Sequence, residues 1–97
     1  MRLYTDPSLN IEITFLDLGI VLAGEHKEYS FYIKNDKIVP FVDLKFVIDN
    51  PEIEILDFPR ELKSGNIGTL RIKWSPSITL KQGLHTELQI KGYELYS

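Results

Sequence analysis

The sequence predicts one all-β domain over residues 1–97, built from short strands that pack as a sandwich or a barrel. Three observations predict this fold class: apolar residues alternate with polar ones, helical periodicity is nearly absent, and turn-forming residues recur about every 8–12 positions. The length of 97 residues suits one domain, and the apolar fraction of 43% is typical of a folded chain rather than a disordered one.

Six segments carry the alternating pattern of half-buried strands, with one face toward a core and the other toward water. In chain order they are residues 11–15, 29–34, 42–48, 52–55, 70–74 and 87–91. The phase of the alternation predicts inward positions for five aromatic residues: Phe15, Tyr29, Phe31, Phe46 and Trp74. The same pattern leaves Tyr32 in the second segment, Val47 in the third and Phe41 just before the third facing outward.

Turn-forming residues separate these segments. They occur at residues 6–8, 23–25, 35–37, 49–51, 64–66, 75–77 and 82–83. Gly24 permits backbone geometry that residues with a Cβ resist, and Pro76 stops a strand ladder because it has no amide hydrogen. Asn35 is expected to cap the end of its strand by bonding backbone groups nearby.

The glycine, proline and asparagine positions form a longer pattern that spans about residues 11 to 92. It runs through Asp17-Leu18-Gly19-Ile20-Val21, Gly24-Glu25, Asn35, Pro40, Leu62-Lys63-Ser64-Gly65, Trp74-Ser75-Pro76 and Gly83-Leu84 to Leu88-Gln89-Ile90-Lys91-Gly92. This pattern resembles the immunoglobulin-like domains grouped with ASH, Hydin and the major sperm protein, which include bacterial and viral relatives. The resemblance implies an immunoglobulin-like β-sandwich of about seven strands. It also implies a non-catalytic spacer, self-assembly unit or docking platform, and it transfers no functional residues because the matching positions are structural.

The C-terminal part departs from that pattern, in which two strands follow the proline-ended one. Residues 84–97 leave room for one good strand and a short tail. Either Gly92 bends the chain into a short last strand, or the closing strand is missing and leaves an edge that a partner's strand can complete. Alternatively, Thr79-Leu80 or Leu3-Tyr4 occupies the place of the closing strand.

Composition excludes several classes of site and partner. The chain has no cysteine, which excludes disulfides, thiolate metal sites and thiol nucleophiles, and its net charge of −3 argues against nucleic-acid binding. Asp6 and Pro7 stand where a signal peptide would have an apolar run, and no apolar stretch approaches the length of a membrane helix. We therefore expect no membrane insertion and a cytoplasmic or virion location.

No arrangement of residues indicates catalysis, a metal or a cofactor. The two histidines, His26 and His85, lie far apart and are expected at the surface. Asp43, Glu52 and Glu54 fall on outward positions of strands, where solvation explains them better than a glycosidase-like pair. The G-x-S-x-G motif and glycine-rich phosphate loops are absent from the sequence. The sequence therefore predicts a protein that is not an enzyme.

Five apolar or aromatic residues are candidates for a partner-binding surface: Tyr32, Phe41, Val47, Tyr93 and Tyr96. The first three are expected outward on adjacent strands and the last two near the exposed C-terminal end, and contiguous patches of this kind mark interfaces. They predict binding to a protein partner, or self-assembly, within a larger assembly such as a virus particle (capsid or tail). The alternatives are a cytoplasmic scaffold or assembly factor, and a carbohydrate- or small-ligand-binding β-sandwich that stacks its ligand on Tyr93 and Tyr96.

Overall fold

The computed structural model describes residues 2–13, 15–79 and 84–96, and all regular structure in these residues is β. The nine strands are β1 (Arg2–Tyr4), β2 (Glu12–Ile13), β3 (Leu16–Gly19), β4 (Lys27–Lys34), β5 (Phe41–Ile48), β6 (Ile53–Asp57), β7 (Ile67–Trp74), β8 (Leu84–Thr86) and β9 (Leu88–Glu94). The predicted all-β class is confirmed. The predicted number of about seven strands is not confirmed, since the described residues form nine, of which β1, β2 and β8 are only two or three residues long.

The strands form three antiparallel sheets. A five-stranded sheet has the order β2-β1-β4-β7-β6, and two further pairs form the β3–β8 ribbon and the β5–β9 ribbon. The longest ladder joins β4 to β7 through eight successive residue pairs, from Lys27 opposite Trp74 to Lys34 opposite Ile67. Because this ladder is uninterrupted, residues that lie opposite each other on β4 and β7 point to the same face of the sheet along its whole length.

One apolar core is shared by all three sheets. Its buried members are Leu3, Leu16, Leu18, Val21, Phe31, Ile33, Leu44, Phe46, Leu62, Leu70, Ile72 and Trp74. The inward positions predicted for Phe31, Phe46 and Trp74 are confirmed, and Tyr29 is half-buried against the core. The Tyr29 hydroxyl donates a 2.5 Å hydrogen bond to the Leu18 carbonyl, and burial, with the charge of Asp17, raises the pKa of Tyr29.

Phe15 was predicted to be inward, and this prediction is wrong. Its side chain is 46% exposed, whereas its neighbour Leu16 and the next alternate residue, Leu18, are buried. The alternation therefore changes phase between β2 and β3, so that Phe15 faces outward together with Asp17. A one-residue change of phase moves every following side chain to the opposite face.

The Asn35 side chain joins the end of β4 to two loops, as its position after the strand predicted. Its Nδ2 donates 2.9 Å hydrogen bonds to the carbonyl oxygens of Val39 and Leu62, and its Oδ1 accepts one of 3.0 Å from the Lys37 amide. Asn35 is fully buried, so these bonds are shielded from water. Because Leu62 pairs with Phe41 of β5, Asn35 connects the five-stranded sheet to the β5–β9 ribbon.

Two predicted turn residues meet at one end of the molecule. Gly24 has a φ of +83°, which a residue with a Cβ rarely adopts, and its amide donates to the carbonyl of Pro76 at 3.2 Å. The turn predicted at residues 82–83, and the closing role considered for Leu80, lie outside the described residues. No helix in the described ranges is long and apolar enough to cross a membrane.

Candidate protein-binding surface

A β-bulge in β5 decides which of its residues face outward. Asp43 has a φ of +53°, and the pairing with β9 shifts register between Val42 and Lys45. The bulge adds one residue to the strand and so reverses the phase of the alternation on its N-terminal side. Phe41 consequently lies on the same side of β5 as Leu44 and packs against the core.

The outward orientation predicted for Phe41 is therefore wrong. The Phe41 ring lies over Gly92 of β9, so closely that a Cβ built on Gly92 would be 2.5 Å from Phe41 Cε1. The amide and carbonyl groups of Phe41 are also bonded to those of Leu62 at 2.9 and 2.8 Å. Phe41 is thus an internal contact of the β5–β9 ribbon, and the argument for it as a surface residue no longer holds.

Tyr32 lies on a different sheet from Val47. Its strand, β4, has β1 and β7 as neighbours, where Tyr4 and Thr69 lie directly opposite Tyr32. The Tyr32 side chain is half-buried there. The structure therefore does not bring Tyr32, Phe41 and Val47 together in one patch, because β4 and β5 are consecutive in the chain but belong to different sheets.

Val47 and Tyr93 do share a surface, which we call the ribbon face: the outer side of the β5–β9 ribbon. Its residues pair across the two strands as Val42 with Tyr93, Lys45 with Lys91, and Val47 with Gln89. Tyr93 is 68% exposed and Val47 is 42% exposed. The ribbon face therefore has apolar groups at both ends and two lysines between them.

Tyr96 extends beyond the end of β9 and is 72% exposed. Its hydroxyl donates a short hydrogen bond to the Glu94 carboxylate, and this bond, with the negative charge of Glu94, raises the pKa of Tyr96. The chain just before it is held in place, because the Leu95 amide donates to the Pro40 carbonyl at 2.9 Å. Three of the five candidate residues, Val47, Tyr93 and Tyr96, are thus exposed on or beside the β5–β9 ribbon.

Strand β9 is paired along one edge. Its seven residues face β5, and within the described ranges no strand pairs with its opposite edge. The prediction of a single strand in residues 84–97 is wrong, because two strands, β8 and β9, follow β7. The last strand continues through Gly92 to Glu94, and Leu3-Tyr4 pairs with β2 and β4. An edge of this kind exposes backbone N–H and C=O groups to which another strand can bond.

A depression of about 700 Å³ adjoins the ribbon face. Its charged lining consists of Lys45, Lys91, Arg60 and Asp43, and Tyr93 stands among them. The Arg60 segment is fixed against β5 because the Leu44 amide donates to the Arg60 carbonyl at 2.9 Å. Three cations and one carboxylate give this depression a charge of about +2, opposite in sign to the −3 of the whole chain.

A second depression of about 370 Å³ lies beside β3. The rings of Phe15 and His85 are 5.6 Å apart there, and His85 Nε2 is 3.8 Å from Asp17 Oδ1. His85 and Asp17 are both exposed, as predicted for the histidine, and such a solvated pair is an ordinary surface contact. In the described part of the chain no three His, Asp or Glu side chains are grouped to hold a metal ion.

Comparison with known proteins adds no relative: no protein-family model, no curated protein and no solved structure matches the chain.

Proposed function

We propose that this chain is a non-catalytic protein-binding module that joins a larger assembly by strand addition at the free edge of β9. The observation that carries the proposal is the one-sided pairing of β9 over seven residues, beside exposed Tyr93 and Val47. A partner's extended segment would bond to the backbone of β9 and lay alternate side chains on the ribbon face.

The proposal includes an immunoglobulin-like sandwich as the architecture. In support, the five-stranded sheet and both ribbons share a single core, and the shortest dimension of the molecule is 16 Å, which suits two layers about 10 Å apart. The sequence pattern from Asp17 to Gly92 supports the same architecture. In such a sandwich β9 would be the edge strand of its layer, which accounts for the free edge.

The energetics require more than backbone bonding. Pairing seven residues adds about seven hydrogen bonds, each worth about 0.5–1.5 kcal/mol net. Their sum is comparable to the cost of association, about 4–15 kcal/mol, so the edge alone gives weak binding. Contacts with exposed Tyr93 and Val47 supply the additional apolar area, and tyrosine is enriched at such surfaces.

The setting follows from the resemblance. Domains of the group that this sequence resembles act in filaments, cilia, cell envelopes and virus particles. We therefore propose an accessory component of a virus particle, such as its capsid or tail, with a cytoplasmic scaffold as the alternative. In both settings the partner is a protein, either a second copy of this chain or another component of the assembly.

The test uses the complex captured from the native source with the full chain as bait. We expect the alternate amides of residues 88–94 that point away from β5 to become protected from hydrogen exchange in the complex, because the others already bond to β5. The double variant Val47→Ser with Tyr93→Ser should weaken binding at least about tenfold, because hot-spot aromatic residues contribute most to interfaces. Tyr32→Ser, which changes the face of the other sheet, is the matched control and should bind as the wild type does.

Unprotected β9 amides in the complex, together with unchanged affinity of the Val47→Ser, Tyr93→Ser variant, would reject the proposed edge. Each variant is first checked for a wild-type thermal unfolding midpoint, so that weakened binding reflects the surface and not the fold. Analytical ultracentrifugation of the isolated chain shows whether the partner is a second copy.

A further inference from the structure

The ribbon face contains an arrangement that folding does not explain. Lys45 and Lys91 lie directly opposite each other on β5 and β9, with both side chains exposed. Like charges directly opposite each other destabilise a strand pair. Neither lysine forms an ion pair with any of the described residues, so no such pair offsets the repulsion.

On the five-stranded sheet, by contrast, a lysine lies directly opposite acidic residues. Lys73 of β7 lies between Glu28 of β4 and Glu54 of β6, directly opposite each of them. The Lys73 Nζ is 3.9 Å from Glu54 Oε2, and Arg71 Nη2 is 3.0 Å from Glu28 Oε1. Acidic and basic side chains thus alternate across strands β4, β7 and β6 of the five-stranded sheet. In the β5–β9 ribbon, where β9 has a free edge, this alternation is missing.

We infer that the segment which pairs with β9 is acidic, with Asp or Glu side chains over the ribbon face. This inference rests on the proposed function, because it names the chemistry of the strand that would complete the sheet. A strand added to β9 lies about 4.8 Å from it, so a carboxylate opposite Lys91 continues the cross-strand pattern that Lys73 shows.

The charges that line the depression beside the ribbon face also favour an acidic segment. Lys45 lies one strand further from the added segment, about 10 Å away, which the long side chains of lysine and glutamate can span. Arg60 lines the same depression, and Asp43 is its single carboxylate. The field of Lys91 and Lys45 acts over about 8–10 Å at physiological salt and therefore reaches an adjacent acidic strand.

The test compares two fluorescently labelled octapeptides that differ only in charge. One alternates valine with glutamate and the other alternates valine with glutamine, and valine favours the extended conformation in both. Fluorescence anisotropy should show at least about tenfold tighter binding of the glutamate peptide, which is about 1.4 kcal/mol, and the difference should shrink in 0.5 M salt. Amide chemical shifts of isotope-labelled protein locate the bound peptide.

Two double variants separate the ribbon face from charge in general. Lys45→Gln with Lys91→Gln should abolish the preference for the glutamate peptide. Arg71→Gln with Lys73→Gln removes the same net charge from the five-stranded sheet and should leave the preference intact. Equal loss in both double variants would show that net charge alone attracts the peptide, and would overturn the inference.

The outcomes also separate this inference from the proposed function. If both peptides shift the amides of β9 equally, the free edge binds strands but the acidic preference is wrong; the lysines then act as a barrier to indiscriminate strand pairing. If the glutamate peptide binds in a lysine-dependent way without shifting β9 amides, the acidic preference holds and strand addition fails. No binding of the glutamate peptide at millimolar concentration rejects the acidic partner.

Discussion

The five-stranded sheet and the β5–β9 ribbon both cover the same core, but they differ in the regularity of their pairing and in the charges on their outer faces. In the sheet, β4 and β7 pair through eight consecutive residues, and the outer face carries acid–base pairs across its strands. In the ribbon, β5 contains a bulge at a residue with positive φ, and a lysine lies opposite a lysine. The charges on the outer face of the sheet are thus paired across its strands, whereas the ribbon has two lysines opposite each other.

The edges of the two regions differ in the same sense. The outer strands of the five-stranded sheet are β2, with two residues, and β6, whose pairing shifts register between Ile55 and Asp57. Short or bulged edge strands resist pairing with other chains. Strand β9 has seven residues, and the register shift of its ribbon lies in β5. Within the described residues, the edge strands of the sheet are thus short or bulged, whereas β9 has a longer and regular free edge.

The largest expected effect comes from breaking the connection between the two regions. Asn35→Ala removes three hydrogen bonds, those that Nδ2 donates to the Val39 and Leu62 carbonyl oxygens and the one that Oδ1 accepts from the Lys37 amide. The Leu62 carbonyl still accepts from the Phe41 amide, so the loss is that of the bonds themselves. Each bond is worth about 0.5–1.5 kcal/mol net, so the free energy of unfolding should fall by roughly 3 kcal/mol. Urea denaturation measures this loss.

Asn35→Asp is the matched control. It keeps the oxygen that accepts from the Lys37 amide but cannot donate at Nδ2, and it should also be strongly destabilising at neutral pH. Wild-type stability in both variants would show that Asn35 does not connect the regions.

How far the sequence predicts this molecule depends on whether a feature is local. The turn role of Asn35 and the burial of Trp74 are local consequences of residue type and alternation, and both were predicted correctly. Phe15 and Phe41 were assigned to the wrong faces because the alternation changes phase beside each of them. Alternation indicates a face only as long as no residue is inserted into the strand.

The composition of the candidate surface was less predictable still. Tyr32 and Val47 were grouped because their strands follow each other in the chain, but β4 and β5 belong to different sheets. The sheet to which β4 or β5 belongs is a long-range property, because it depends on the pairing of β4 with β7 and of β5 with β9. The opposition of Lys45 and Lys91 depends on the register of that pairing, which no local pattern specifies.

A medium effect is expected at the contact that the bulge creates. Gly92→Ala adds a Cβ 2.5 Å from Phe41 Cε1 and 3.0 Å from Leu44 Cδ2, so the Phe41 ring must move. Overpacking of this kind costs about 1–3 kcal/mol, which thermal or urea unfolding resolves.

The double variant Gly92→Ala with Phe41→Leu tests the cause. Phe41→Leu alone should destabilise the fold, but when it is combined with Gly92→Ala its cost should be smaller because the clash is relieved, and the double-mutant cycle measures this coupling. Additive effects would show that Phe41 does not pack over Gly92.

The smallest expected effect on stability gives the most direct comparison, because replacing a lysine by glutamate should stabilise one region and destabilise the other. Lys91→Glu places an acid opposite Lys45 and should stabilise the isolated domain by about 0.5 kcal/mol, since a like-charge pair becomes an opposite-charge pair. Lys73→Glu places an acid between Glu28 and Glu54 and should destabilise it by at least as much. Urea unfolding at low salt measures both, and 0.5 M salt should reduce both differences.

A gain in stability at Lys91 would mean that the ribbon retains its lysine at the expense of folding, as expected of a residue whose role is to bind an acidic partner. A loss at Lys91 comparable to that at Lys73 would instead place both lysines in the same structural role and remove the contrast on which the acidic partner is inferred.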